Sequence, residues 1–325
     1  MNGGCGHSRA TDPVGGRAAA SVFDKTRRGT ASSMGTMLDL DRILDFITAN
    51  ARLLDRRRAE LAVGAGDPEA ALAVLAGYRN ADGGFGWALE PDLRAPASQP
   101  VAALHAFEVL EEVAPVTSPL ATGLLDWLDA VALPGGALPF ALPGTASAGS
   151  APMWQSADTT SPSLHMTAVV LGIAHRVARH DPAVAAHSWL ARATDWSLGE
   201  IAALDGPRHA IEFRYVLQLL DALDARDELE RLGAYLPADG TMAVTGGKPD
   251  EAMRPLDFSP DSGRPLRALI DERAIAADLD RLEAEQHDDG GWDVDWAHWS
   301  PAGGLEWRGW ATVRTLRILR ANGRL

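Results

Sequence analysis

Two Asp-Gly-Gly triplets, starting at Asp82 and Asp289, each follow one helical pattern and lead into another. Glycines supply the positive φ that stops a helix, so each triplet closes a helix and opens a connection. The upstream copy reads Tyr78-Arg79-Asn80-Ala81-Asp82-Gly83-Gly84-Phe85-Gly86-Trp87. The downstream copy opens the segment from Gln286 to Trp310, which holds five of the ten tryptophans. Between them, Pro134-Gly135-Gly136-Ala137 and Ala238-Asp239-Gly240-Thr241 fall where a period of about fifty residues puts them, the mark of a repeat architecture. One copy is eroded: Asp205-Gly206-Pro207 is displaced and carries no long loop.

The intervening segments read as helices. Ile43, Leu44, Ile47, Leu54 and Leu61 recur at helical spacing from Leu40, and Asp67-Pro68 is an N-cap followed by Pro at the first helical position. Further helices are expected at roughly 99–113, 118–131, 163–180, 184–203, 208–224, 226–236, 272–286 and 307–321, and no strand is expected. Links near Gly64-Ala65-Gly66, Ala114-Pro115, Asp181-Pro182 and Ala225 are short; those at about 80–98, 132–162, 237–262 and 287–306 are long. Antiparallel neighbours joined this way gather the long loops at one end, where function is expected. Helices after long loops are the more apolar, as for elements buried on both sides. The expectation is an all-α protein, an α/α toroid of about six helical hairpins, with inner-helix N-termini that favour an anion at the mouth. Pro255–Ile270 stands where an inner helix belongs but carries three prolines. There the ring is expected to be open or indented, with a shorter helix, or the loop with Asp257 and Arg264 to fold over the cavity as a lid.

Residues 1–36 are rich in Gly, Ser, Ala, Thr and Arg without periodicity and are read as a disordered extension containing the only cysteine, Cys5. Residues 37–325 are then a single domain. A net charge of −14 without a basic cluster argues against nucleic acid. No apolar run is long enough to span a bilayer, and the expected location is cytoplasmic. A lone cysteine excludes an internal disulfide framework and a multi-thiolate zinc site.

The motifs Asn80-x-Asp82-Gly83-Gly84-Phe85-Gly86 and Gln286-x-x-Asp289-Gly290-Gly291-Trp292 resemble the repeat shared by squalene and hopene cyclases, other class II terpene cyclases and protein prenyltransferase β subunits. The resemblance covers about residues 40–322 and implies an α/α toroid acting on an isoprenoid or similarly apolar small molecule. Class II cyclases protonate their substrate from an Asp-x-Asp-Asp motif; here the corresponding segment is Asp293-Val294-Asp295-Trp296, with Trp in the fourth position. It makes Asp295 the candidate acid and Asp293 its support. Prenyltransferase zinc sites require a cysteine that this stretch lacks, so no metal site follows. No complete diphosphate motif is present, and magnesium has no support in the sequence.

Glu90 and Asp92 form a second acidic pair at the same mouth, as an acid and base over a cavity or as caps of loop amides. His298, Glu306 and Arg308 are expected to join that cluster. Aromatic faces stabilise cations, which makes Trp87, Trp296, Trp299 and Trp307 candidates for lining the cavity, while Trp292 occupies a bracing position. Among inner-helix polar residues, His105, Glu108, His165, Glu212, Arg214 and Gln218 are candidates for the axis. His175, His180 and His187 sit around one helix end and read as a surface group, and Arg314, Arg317 and Arg320 read as a solvated face complementing a helix dipole. The functional expectation is a protonation-initiated cyclase or related enzyme. The alternative is a non-catalytic binding or scaffold toroid that has lost the acid motif. The sequence sets no oligomeric state.

Overall fold

A computed structural model describes residues 38–325, and within them the repeated turn takes one geometry four times. Asn80 N–H donates to the Gly84 carbonyl at 2.8 Å while Gly83 N–H returns to Asn80 at 3.1 Å. His287 with Gly291 and Gly290 repeats this at 3.0 and 2.8 Å, and Leu133 with Ala137 and Gly136 at 2.8 and 2.9 Å. At Pro237, which has no N–H to give, the bond from Gly240 remains at 2.8 Å. The glycine that closes each turn has φ of +97° at Gly83, +89° at Gly136, +67° at Gly240 and +94° at Gly290. Asp82, Asp239 and Asp289 hold three of the turns by accepting the N–H two residues on, at 3.0 to 3.1 Å. The expected extension over 1–36, with Cys5, lies outside the described residues.

The fold is all-α, with helices α1 (Leu40–Asn50), α2 (Leu53–Ala62), α3 (Pro68–Ala76), α4 (Pro100–Glu112), α5 (Pro119–Val131), α6 (Pro152–Gln155), α7 (Leu164–Ala178), α8 (Pro182–Ala185), α9 (Ser188–Ala202), α10 (Ala210–Ala222), α11 (Arg226–Gly233), α12 (Pro255–Phe258), α13 (Glu272–Ala284) and α14 (Pro301–Ala321). Several starts are written locally. Asp67, Ser118, Asp181 and Ser300 each cap a helix whose first residue is Pro, accepting an N–H that the helix leaves free.

Helices α2, α4, α7, α10, α12 and α14 contact one another in that order, and α14 returns to α2. Helices α1, α3, α5, α9, α11 and α13 pack outside them. On α4 and α7 most side chains are buried, as expected of the inner layer. Links at 77–99, 132–163, 234–254 and 285–300 gather around the N-termini of inner helices, while those at 51–52 and 203–209 stay short.

Three local expectations are corrected, and the shorter helix expected within Pro255–Ile270 is met. The pattern from Leu40 to Leu61 divides at Ala51-Arg52 into α1 and α2. The last helix starts at Pro301 rather than 307, because Ser300 caps it, so Glu306, Trp307 and Arg308 are helical. A two-residue antiparallel pair exists, β1 (Met242–Ala243) with β2 (Ala252–Met253), where the chain folds back before α12. Pro255–Ile270 supplies a four-residue α12 and a 3-10 turn over Pro265–Leu269, since its prolines remove the donors of a longer helix. Among the described residues no helix is long and apolar enough to cross a membrane.

The turn makes a clean stability test. At Gly290 a Cβ would stand 2.2 Å from the Arg42 carbonyl oxygen at positive φ, so Gly290→Ala is expected to cost about 2–4 kcal/mol in denaturant unfolding. Gly199, inside α9 with nothing near its absent Cβ, should gain about 0.5–1 kcal/mol as Ala. Equal midpoints for the two variants would contradict this account.

Candidate active site

The inner helices send side chains into one cavity of about 650 Å³, within the usual size for a small-molecule site. Its deeper part is ionic. Arg58 on α2 reaches Glu108 at 3.0 Å and Glu112 at 2.7 Å, Arg176 on α7 holds Glu111 at 2.6 Å, and Arg317 on α14 holds Glu112 at 2.9 Å. Arg58 and Glu112 are buried, and removing one partner from such a pair costs about 3–5 kcal/mol.

Above this floor lies a chain of titratable groups. Glu90 Oε2 is 2.7 Å from His105 Nε2, and His105 Nδ1 is 3.2 Å from Glu108 Oε2. Burial alone would lower the His105 pKa, but the carboxylates of Glu108 and Glu90 outweigh it and raise it to about 9. Glu108 resists the upward push of burial because Arg58 and His105 hold it ionised. Asp92 accepts the Trp307 indole N–H at 2.8 Å through Oδ2, while its buried Oδ1 has no hydrogen-bond partner. Burial and the nearby Glu90 carboxylate push Asp92 up to about 6.

Loop geometry delivers this pair. Trp87 and Ala88 adopt positive φ, turning the chain inward, and Arg52 Nη1 anchors the Leu89 carbonyl at 3.0 Å. Glu90 Oε1 then accepts the Asp92 N–H at 3.2 Å, so Glu90 caps the loop with one oxygen and faces His105 with the other. The adjoining wall is aromatic: Trp296 packs edge-on against Trp307 and Trp310, with centroids 5.0 and 6.0 Å away.

The expected residues divide between cavity and elsewhere. Glu90, Asp92, His105, Glu108, His165, Arg214, Gln218, Trp296, Trp299 and Trp307 line the cavity. Asp293 does not: it is exposed and paired with Arg308 and His287. Asp295 is half-buried, and burial followed by Asp257 and Glu251 raises its pKa, but its side chain is not on the cavity wall. Trp87 is 58 % exposed, its indole N–H given to Asn80 at 2.7 Å. His298 is exposed, Glu306 pairs with Arg94, and Arg308 grips Asp289 at 2.9 Å over the Phe46 ring; all three lie away from the cavity. Glu212 faces a separate hollow beside Trp196 and Arg208.

Conversely, Arg314 and Arg317 are not a solvated face: Arg314 meets Asp257 at 2.7 Å, and both line the cavity. Arg58, Trp154, Tyr215 and the loop Thr245–Lys248 also line it without having been singled out. Tyr215 lies three residues before Gln218 on α10, so the helical period places the two on one face. Arg58 sits in a run of three arginines with nothing local to mark it. Among the described residues no group of three His, Cys, Asp or Glu side chains is arranged to hold a metal ion.

No family model matches the chain, and no curated protein matches it. A protein from Actinoplanes of known crystal structure is similar, with a TM-score of 0.53 and 15 % identity over 87 % of this chain and 98 % of that one. At that identity the likeness is one of fold alone.

Asp92 gives a stability test with a definite sign. Its folded pKa of about 6 lies above the ordinary 3.8, so the contribution of Asp92 to stability is fullest at low pH, falls as pH rises from about 4 to 6, and stays reduced above. The penalty is at most about 3 kcal/mol at 1.4 kcal/mol per tenfold. Asp92→Asn should therefore be more stable than wild type at pH 8 and equal to it at pH 4 in denaturant unfolding. A constant difference across that range would contradict a buried, proton-holding Asp92.

Proposed function

We propose that this chain is an enzyme that transfers a proton from Asp92 to an apolar small molecule held in the central cavity. The observation that carries the reading is the Asp92 carboxyl, buried at an aromatic wall with one oxygen fixed by Trp307 and the other free. An elevated pKa near working pH suits a general acid. In the reaction, the π electrons of a double bond, or an epoxide oxygen, take the Asp92 proton, leaving a carboxylate and a substrate cation. The faces of Trp296, Trp307 and Trp310 suit such a cation. Loss of a proton from the cation back to the Asp92 carboxylate closes the cycle without a cofactor.

His105 contributes by position. Held between Glu90 and Glu108, it partly offsets the charge that the Glu90 carboxylate presents to Asp92. The repeated turns and the ring of inner helices support the resemblance to terpene cyclases, and an isoprenoid is the substrate class we propose. The acid assigned here is Asp92, since Asp293 and Asp295 are off the cavity wall.

Incubation with linear isoprenoids, read by product analysis, tests the reading. Wild type is expected to convert one of them, and Asp92→Asn to lose at least about a hundredfold in rate, the usual scale of general-acid catalysis. Conversion by Asp92→Asn at the wild-type rate would remove Asp92 from the chemistry. Binding without conversion by wild type would favour the non-catalytic alternative.

A further inference from the structure

The cavity arginines are not equivalent. Arg58, Arg176, Arg314 and Arg317 each hold a carboxylate within 3.0 Å. Arg214, on α10, has no carboxylate within ion-pair distance among the described residues. Its buried Nε has no partner, its Nη1 has only the Met253 sulfur at 3.7 Å, and its guanidinium lies 4.5 Å above the Tyr215 ring. Asp257 lies within its field but is paired with Arg314. A guanidinium is charged at all relevant pH and presents a fork of donors, so one with no ion pair of its own on a cavity wall has donors to spare.

The neighbouring groups are of the same character. His165 lines the cavity between Phe140 and Tyr215, with ring centroids 5.4 and 5.2 Å away, and no protein group is hydrogen-bonded to it among the described residues. Burial, then the positive fields of His209 and Arg214, lower its pKa to about 3, so it is neutral and retains one N–H donor. His209 is already engaged, with Nδ1 accepting the Ile211 N–H and Nε2 at 3.1 Å from the Thr245 carbonyl. Lys248 adds a cation at the rim, 3.4 Å from the Trp296 carbonyl. Val169, Ile173, Met166 and Leu104 provide apolar wall within the same cavity.

We infer that Arg214, with His165, forms an anion subsite, and that the ligand is an amphipathic acid whose carboxylate or phosphate sits there while its apolar body lies toward the tryptophans. This deepens the proposed function and rests on the same cavity, but it is separable from Asp92 because it concerns binding rather than turnover. A single charge-assisted contact of this kind is worth about tenfold or more in affinity.

The test is titration of the full chain with dodecanoate, dodecyl phosphate and dodecanol, followed by cavity tryptophan fluorescence and calorimetry. Wild type is expected to bind the acids about tenfold or more tighter than the alcohol. Arg214→Gln should bind all three alike, at the wild-type affinity for the alcohol, and Arg214→Lys should restore part of the preference. The stronger of the two acids identifies the head group as carboxylate or phosphate. Because Arg214 holds no ion pair, its replacement is expected to keep the fold, which a cooperative unfolding transition, measured alongside, checks. Equal affinity of acid and alcohol in wild type, or an undiminished preference in Arg214→Gln, overturns the subsite and leaves the Asp92 reading standing. Failure of every probe to bind overturns the subsite, while the Asp92 reading is decided separately by conversion of the isoprenoids.

Discussion

One carboxylate oxygen ties the ring of helices together. Glu108 Oε2 receives Arg58 from α2 at 3.0 Å, Trp310 from α14 at 2.9 Å and His105 from its own helix at 3.2 Å. The three donors come from α2, α4 and α14, so this atom is where the first and last inner helices meet the second. Burial of a charge with fewer partners would be prohibitive. Three donors make it tolerable, and they also fix which way His105 faces. That orientation sets the position of Glu90, and Glu90 in turn sets the field felt by Asp92. The floor of the cavity and its chemistry are therefore one connected network rather than a scaffold with a site added.

The repeated turns were legible in the sequence because each depends on a few adjacent residues. An Asp, a Gly that reaches positive φ and a following small residue specify the hydrogen bonds at 80, 237 and 287 with little help from elsewhere. The small residue has its own reason: a Cβ on Gly84 would meet the Trp127 ring at 2.5 Å, and one on Gly291 the Phe46 ring at 2.7 Å. Inner and outer helices were distinguishable for a similar cause, since a helix buried on both sides must be apolar on both.

What the sequence concealed was direction. Asp293 and Asp295 stand in the spacing of an acid motif, but spacing does not say which side of a loop faces inward, and Arg308 from a helix turn draws Asp293 outward. Glu90 and Asp92 face inward because two residues before them take positive φ without being glycine, which composition does not announce. Arg314 and Arg317 looked like an exposed polar stripe because their carboxylate partners, Asp257 and Glu112, lie far away in sequence. Long-range charge pairing has no local period to read.

Helix α12 has four residues where α4, α7, α10 and α14 have thirteen to twenty-one. Its sector of the wall is completed by connecting chain, from Val244 to Glu251 and at Pro260 and Asp261. Lengthening or shortening a helix would disturb neighbours on both sides, whereas these stretches can gain or lose residues while the interhelical packing is kept. That stretch of wall is thus free to vary without moving the inner helices. Evolution or a designer could enlarge or narrow the chamber from there, with Asp92 and the charges around it left in place.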